Sequence, residues 1–190
     1  MNLKPGDWVD DRYKIVRLLG SGSEGSVFLA FQEKTLRFYA IKEISKEGIC
    51  YQKESVEIWK RLRHPGLPEV ADILDDETHV LIVMEYAEGS DLRSYLDRGV
   101  RFPRSRIIQF AVRICDTLSY LHAQSPPIYY GDLKPENIIL QKNSPILVDM
   151  GSAFLQGSKG KRTGSIRLPD EKQTESICPP DGIQTEAGCS

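Results

Sequence analysis

Tyr130-Gly131-Asp132-Leu133-Lys134-Pro135-Glu136-Asn137 gathers an acid, a cation and an amide into the six positions from Asp132 to Asn137. The apolar run Ile138-Ile139-Leu140 follows directly. A second run, Ile146-Leu147-Val148, delivers another acid in Asp149-Met150-Gly151. Between the runs, Lys142-Asn143-Ser144-Pro145 reads as a turn, because proline has no N–H to give to a central strand. Polar side chains set between short apolar strands point to a site that handles phosphate and metal. Carboxylate and amide oxygens suit a hard cation, and a lysine suits phosphate as a point charge.

Upstream, Tyr13 to Leu19 reads as a strand that runs into Gly20-Ser21-Gly22-Ser23-Glu24-Gly25-Ser26-Val27. A dinucleotide-binding fold requires a helix after such glycines, whereas Val27-Phe28-Leu29-Ala30-Phe31 is short and β-rich. Two readings stand at this point. One is a hairpin lid whose glycines let backbone N–H groups approach phosphate; the other is an ordinary hairpin with flexible glycines. The strand Phe38-Tyr39-Ala40-Ile41-Lys42 ends in a lysine, either solvated or aimed at a nucleotide.

Further signals organise the rest. Glu47 to Arg63 suits a helix, with Val56, Trp59 and Leu62 at helical spacing and His64-Pro65-Gly66 as its stop. Ile73-Leu74 and His79 to Met84 read as an antiparallel pair turning at Asp75-Asp76-Glu77. The nearly all-apolar Val80 to Met84 is expected to be covered on both faces. Glu85 to Gly89 breaks the pattern, as a linker between two lobes would. Ser90 is the expected N-cap of a short helix carrying Leu92, Tyr95 and Leu96. A longer helix, Ser105 to His122, presents Ile107, Ile108, Ala111, Ile114, Cys115, Leu118 and Leu121 on one apolar face, with His122 structural at its end. Gln156 to Ser190 has no apolar period and reads as loop or disorder.

Composition narrows the function classes. The 190 residues are 40% apolar, enough for a core, and the formal net charge of −2 gives no global pull toward nucleic acid or an anionic membrane. The four cysteines form no CxxC pair, so free thiols in a reducing cytosol are expected. The N-terminus lacks the apolar core of a signal peptide, and no apolar run approaches the ~20 residues of a membrane span. A cytoplasmic protein is the expectation.

Taken in order, these stretches resemble the eukaryotic-type (Hanks-type) Ser/Thr protein kinases. Gly20-x-Gly22-x-x-Gly25-x-Val27 is similar to their glycine-rich loop, and Tyr39-Ala40-Ile41-Lys42 to their third-strand lysine motif. Met84-Glu85-Tyr86-Ala87 resembles the gatekeeper and hinge, Asp132 to Asn137 the catalytic loop, and Asp149-Met150-Gly151 the metal-binding triplet. The lysine after Asp132-Leu133 is the Ser/Thr-type pattern. The resemblance implies an α+β, two-lobed fold with an antiparallel β-sheet N-lobe and an incomplete α-helical C-lobe. The implied organisation is an extension over 1–12, the N-lobe over 13–84, the hinge over 85–89, a partial C-lobe over 90–165 and an irregular tail over 166–190. Five strands and one helix are expected in the N-lobe.

It also implies an activity, γ-phosphate transfer from ATP to Ser or Thr hydroxyls with Mg²⁺ as cofactor. Asp132, Lys134 and Lys42 would be catalytic: Asp132 accepting or orienting the substrate hydroxyl, Lys134 neutralising the γ-phosphate, Lys42 holding the α- and β-phosphates. Asn137 and Asp149 would ligate metal. ATP would lie among Leu19, Gly20, Ser21, Gly22, Gly25, Val27, Ala40, Lys42, Met84, Glu85, Ala87, Asp91 and Ile139. There Val27, Ala40 and Ile139 would sandwich the adenine, Glu85 and Ala87 would meet its edge through backbone, and Asp91 would meet the ribose. Protein substrates, rather than nucleic acid or membrane, are the implied partners.

Four departures qualify the resemblance. Tyr130-Gly131 replaces the usual His-Arg, which removes the arginine that answers a phosphorylated activation loop. Met150 replaces Phe, a mild change for a flexible apolar side chain. The helix glutamate due to pair with Lys42 is out of register, with Glu54 the nearest substitute and surface charge the alternative. After Gly164-Ser165 the expected Ala-Pro-Glu and the following helices are missing, so a bacterial kinase truncated after its activation segment is expected. The long helix would then keep an uncovered face for a partner. The rival to an active kinase is a catalytically impaired, pseudokinase-like ATP-binding or regulatory fragment.

Overall fold

The structure, a computed structural model, describes residues 3–22, 25–46 and 58–155. Its first part is a six-stranded antiparallel sheet built from β1 (Trp8–Val9), β2 (Tyr13–Gly22), β3 (Gly25–Gln32), β4 (Arg37–Ser45), β5 (Val70–Asp75) and β6 (His79–Glu85). The spatial order is β1-β2-β3-β4-β6-β5. The short β1, pairing Trp8 with Lys14 and Val9 with Tyr13, adds a strand to the five expected.

Period-two alternation separates the two faces of this sheet. Val9, Tyr13, Ile15, Phe28, Ala30, Ile41, Leu81 and Val83 form one apolar cluster. Ile44, Val80 and Ile82 point the other way, into a second cluster with Trp59, Leu62, Leu67, Leu121, Ile128, Tyr130, Ile138 and Leu147. Val80 to Val83 is thus buried from both sides, as its unbroken apolar run implied. The strand expected to end at Lys42 continues to Ser45, so the lysine lies inside β4. Val27 and Ile82 flank it across the ladders, and Ile44 carries the alternation past it.

Of the helix expected over Glu47 to Arg63, only the end lies within the described residues. Ile58 and Trp59 are helical, and the backbone then tightens: the Arg61 N–H donates to the Ile58 carbonyl at 2.9 Å. The helix therefore stops short of Arg63, although Trp59 and Leu62 are buried as their spacing implied.

The second part begins with β7 (Ser90–Asp91), α1 (Leu92–Asp97) and α2 (Arg104–His122). The expected cap, Ser90, is instead held in a ladder opposite Leu140, and the N-cap is Asp91. Its Oδ1 accepts from the Ser94 N–H at 2.8 Å and its Oδ2 from the Ser94 hydroxyl at 2.6 Å. Then come β8 (Ile128–Tyr129), a 3₁₀ turn (Pro135–Asn137), β9 (Ile138–Gln141), β10 (Ser144–Leu147), a second 3₁₀ turn (Met150–Ser152) and β11 (Phe154–Leu155). The β9–β10 hairpin turns on Lys142 and Asn143 alone, both at positive φ (48° and 67°), the backbone of a type I′ turn. Pro145, read as part of that turn, sits inside β10 opposite Leu140. It is tolerated because β10 is the edge of the β10-β9-β7 sheet.

The face expected of α2 packs along its C-terminal half, where Ile114, Leu118 and Leu121 join the second cluster, and is uncovered along its N-terminal half. Phe110, Thr117 and Leu121 are buried, while Ile107, Ile108 and Val112 are 54%, 52% and 62% exposed, and Ala111 and Cys115 are also exposed. Thr117 can enter the core because its hydroxyl donates to the Arg113 carbonyl at 2.9 Å within its own helix. Counting apolar residue types misses that satisfied threonine. Cys115 is a free thiol; the other three cysteines lie outside the described residues.

The two halves of this face predict unequal costs for two similar truncations. Leu121→Ala, at a fully buried site, should lower unfolding stability by about 2–5 kcal/mol. Ile108→Ala should stay within about 0.5 kcal/mol of wild type. Equal losses in urea melts would mean that Ile108 packs as closely as Leu121.

Candidate active site

The sheet alternation that buries Ile44, Val80 and Ile82 also aims a set of side chains at one region. Val27 lies opposite Lys42, and Ala40 opposite Met84. Ala40 and Lys42 are buried, while Val27 and Met84 are half-buried. An ammonium that is only 5% exposed demands a negative partner. Lys42 has one in Asp149, whose Oδ1 accepts from Nζ across 107 residues of sequence. Asp149 adopts a left-handed backbone (φ 67°) that turns it out of line with β10. Its Oδ1 also accepts from the Gly151 N–H at 3.0 Å, which caps the turn and fixes the carboxylate.

The residues from Asp132 to Asn137 form a second knot. The buried Asn137 uses both hydrogens of Nδ2 on Asp132, one on its carbonyl at 3.0 Å and one on its Oδ2 at 2.9 Å. Lys134 Nζ lies 2.6 Å from the same Oδ2. That bond to Asp132 raises the Lys134 pKa above its ordinary value, so the ammonium stays charged. Both contacts fall on Oδ2, and Oδ1 of Asp132 makes no hydrogen bond among the described residues. The amide oxygen of Asn137 is likewise left for a cation.

The departure Tyr130-Gly131 joins these two knots. Tyr130 is 2% exposed, and its hydroxyl donates to the carbonyl of Val148, the residue before Asp149. Gly131 has φ 80°, and a Cβ there would overlap the Ser152 carbonyl. The Val148 N–H returns a bond to the Asn137 carbonyl at 2.9 Å. The segments 130–137 and 148–152 are therefore tied at three points. Sequence reasoning found the substitution but not the tie, since nothing in a motif says which carbonyl a buried tyrosine will reach. It also missed Arg93, whose Nε donates to Glu136 Oε1 at 3.1 Å and links α1 to the loop.

The glycine hairpin pairs Gly20 with Val27, Ser21 with Ser26 and Gly22 with Gly25, with a bulge at Leu19. Gly25 has φ 127°, and a Cβ would overlap the Glu43 carbonyl, so only glycine lets the hairpin lie this close to β4. Ser23 and Glu24 at its tip lie outside the described residues, as does Glu54, the acid weighed as a partner for Lys42. Residues 86–88, in the linker, belong to neither helix nor strand, and Ala87 is buried. The Glu85 N–H is taken by the Glu69 carbonyl at 2.9 Å. Ile139 pairs across β9 with Asp91. Burial opposes the charge of Asp91, but the bonds from Ser94 outweigh it and hold the carboxyl below its usual range. Asp91 is thus a helix cap before it is anything else.

No group of three or more His, Cys, Asp or Glu side chains that could hold a metal occurs among the described residues. Asp149 and Asn137 offer a carboxylate and an amide oxygen as ligands. That donor set suits Mg²⁺, which keeps waters and takes substrate phosphates instead of an all-protein cage. A cavity of about 980 Å³ lies behind the linker, against Phe38, Tyr39, His64 and Tyr86, and is lined by none of Lys42, Asp132, Asn137 and Asp149. Charge and hydrogen bonding mark the site, not the size of the nearest hollow.

The sequence matches the family described as Protein kinase domain over residues 13–187. It is 37% identical over 148 residues to the cAMP-dependent protein kinase type 3 of Saccharomyces cerevisiae, covering 74% of this chain and 37% of that protein. It is 32% identical over 155 residues to the cAMP-dependent protein kinase catalytic subunit of Arthrobotrys oligospora, covering 78% and 30%. It is 30% identical over 154 residues to the mouse serine/threonine-protein kinase Nek3, again covering 78% and 30%. The matched region thus spans about a third of the length of these curated relatives.

Removing the Tyr130 hydroxyl tests the tie. Tyr130→Phe leaves a half-buried carbonyl without this donor and should cost about 1–3 kcal/mol in urea melts near neutral pH. Burial first, and then the charges of Asp149 and Asp132, push this hydroxyl's pKa up in the folded protein. The unfolded chain titrates near pH 10, about the ordinary tyrosine value. The contribution is therefore full below about pH 10 and fades as pH rises beyond it toward the raised folded value. The gap between wild type and Tyr130→Phe should narrow there; a constant gap would contradict burial of the hydroxyl beside these carboxylates.

Proposed function

The chain belongs to the protein kinase domain family, and we propose that it transfers the γ-phosphate of ATP to serine or threonine hydroxyls of proteins. The observation that carries this reading is the convergence of Lys42, Asp149, Asn137 and Asp132 beside the apolar surface of Val27, Ala40 and Met84. Phosphoryl transfer asks little covalent chemistry of a protein and much positioning and charge neutralisation. The four groups supply those.

In this reading adenine lies between Val27 and Ala40 on one side and Ile139 on the other. Its edge meets the backbone of Glu85 and Ala87, with Met84 behind, and Asp91 meets the ribose. The backbone of Leu19, Gly20, Ser21, Gly22 and Gly25 covers the phosphates, and Lys42 holds the α- and β-phosphates. Mg²⁺, held by Asp149 and Asn137 oxygens, would supply positive charge to the phosphate oxygens. Oδ1 of Asp132 accepts or orients the proton of the substrate hydroxyl. The hydroxyl oxygen bonds to the γ-phosphorus as the bond from that phosphorus to the β–γ bridging oxygen breaks, and ADP leaves with that electron pair. Lys134 neutralises the moving phosphoryl group, and its bond to Asp132 keeps both groups in register.

The rival, a nucleotide-binding module without turnover, finds no missing catalytic group to favour it. Gly131 carries no side chain to answer a phosphorylated activation loop, so the same proposal includes activity independent of that modification. A cytoplasmic location belongs to it as well. No helix among the described residues is long and apolar enough to cross a membrane.

Transfer of labelled γ-phosphate to a generic protein substrate should fall at least about 100-fold in both Asp132→Asn and Asp149→Ala. Equal signal from wild type and Asp149→Ala would remove the kinase reading. Pretreatment with a phosphatase should leave the wild-type rate unchanged; a loss reversed by rephosphorylation would contradict the role given to Gly131.

A further inference from the structure

Between α1 and α2 the sequence Arg98-Gly99-Val100-Arg101-Phe102-Pro103-Arg104-Ser105-Arg106 holds four arginines and no acid, in a chain whose formal net charge is −2. These arginines are mounted on a ladder of rings. Tyr95 meets Phe102 edge-on with centroids 5.6 Å apart, and Phe102 meets Phe110 edge-on at 5.4 Å. A guanidinium closes each end: Arg98 lies 4.8 Å over the Tyr95 ring, and Arg106 lies 5.9 Å over Phe110. Arg98 also spends one N–H on the Ser94 carbonyl at 2.9 Å, which holds it over its ring. Arg101 and Arg104 are exposed beside the ladder. Arg93, just upstream, is committed to Glu136 and Asp97; Arg98, Arg101, Arg104 and Arg106 have no carboxylate partner among the described residues.

A guanidinium held over a ring keeps other N–H groups for a ligand, and its planar fork matches a carboxylate. Because the ring has already restricted its rotamers, less entropy is lost when a ligand binds. None of these arginines belongs to the phosphate-transfer site, so the strip is available for a second task.

We propose that this arginine–aromatic strip is a docking surface for a carboxylate-rich peptide segment of the protein substrate. The proposal rests on the kinase reading for the identity of its partner. Charge complementarity selects the chemistry, and extent selects the source. The positive field covers one loop and one helix start on a net acidic chain, so a short acidic segment meets only the strip. A long polyanion such as nucleic acid, or an anionic bilayer, would also meet the repelling remainder.

The test reads binding without ATP, by fluorescence anisotropy of a labelled poly-glutamate peptide. Wild type should bind it in a salt-sensitive manner, and bind a poly-glutamine counterpart far more weakly. The double variant Arg101→Glu/Arg104→Glu should weaken the glutamate peptide about tenfold or more, while transfer to a generic non-acidic substrate stays at the wild-type rate. Arg98→Lys, which keeps the charge but loses the planar fork, should weaken binding several-fold. Equal affinity for the glutamate and glutamine peptides, or for wild type and the double variant, would overturn the proposal. So would tighter arginine-dependent binding of a phosphoserine peptide, a single-stranded oligonucleotide or phosphatidylserine vesicles, each at matched charge. Loss of phosphate transfer with peptide binding intact would count against the kinase reading alone.

Discussion

Burying the ammonium of Lys42 in the middle of β4 creates a demand that the rest of the molecule is arranged to meet. A lysine enclosed by Val27 and Ile82 on the neighbouring strands cannot keep its charge cheaply without a carboxylate. The carboxylate comes from Asp149, on the far side of the chain in sequence. For it to arrive, β10 must end beside β4 and the backbone must turn sharply at Asp149. The second apolar cluster brings this about, because Ile44 and Ile82 of the sheet pack with Ile138 and Leu147 of the β9–β10 hairpin. Core packing and site assembly are here one event: the contacts that exclude water from Leu147 also carry Asp149 to Lys42.

Around that ion pair the loop from Tyr130 to Asn137 is held by polar bonds of its own. Asn137 ties Asp132, and Tyr130 ties Val148. Gly131 lets the two backbones approach where a Cβ would collide with Ser152. A side chain at position 131 could have carried a charge to be answered by phosphate elsewhere. This chain uses that space for backbone contact instead, so the loop is ordered by internal bonds.

Much of this was legible in the sequence, for identifiable reasons. Strands were readable where apolar runs alternated or stayed unbroken, as in Val80 to Val83, because burial on two faces leaves a direct mark on composition. The four polar site residues were readable because their chemistry constrains residue type and spacing. Side-chain direction was less accessible. Periodicity found Ile114, Leu118 and Leu121 of α2, which pack, but not Thr117, which is satisfied by its own helix and looks polar in a list of residues. Pro145 looked like a turn residue because the sequence does not say that β10 is an edge. Ser90 looked like a cap because its ladder with Leu140 is made by residues fifty positions away. The ring ladder under the arginines escaped notice for the same reason, since Tyr95, Phe102 and Phe110 share no single period.

Lys42 holds the carboxylate of Asp149, which with Asn137 would hold magnesium and so supply positive charge beside a bound nucleotide. Calorimetric titration of ATP onto the protein, with magnesium and with magnesium removed by EDTA, tests it directly. Wild type should bind ATP more tightly with magnesium, and Asp149→Ala should lose that difference while still binding nucleotide. An equal magnesium effect in both proteins would contradict it.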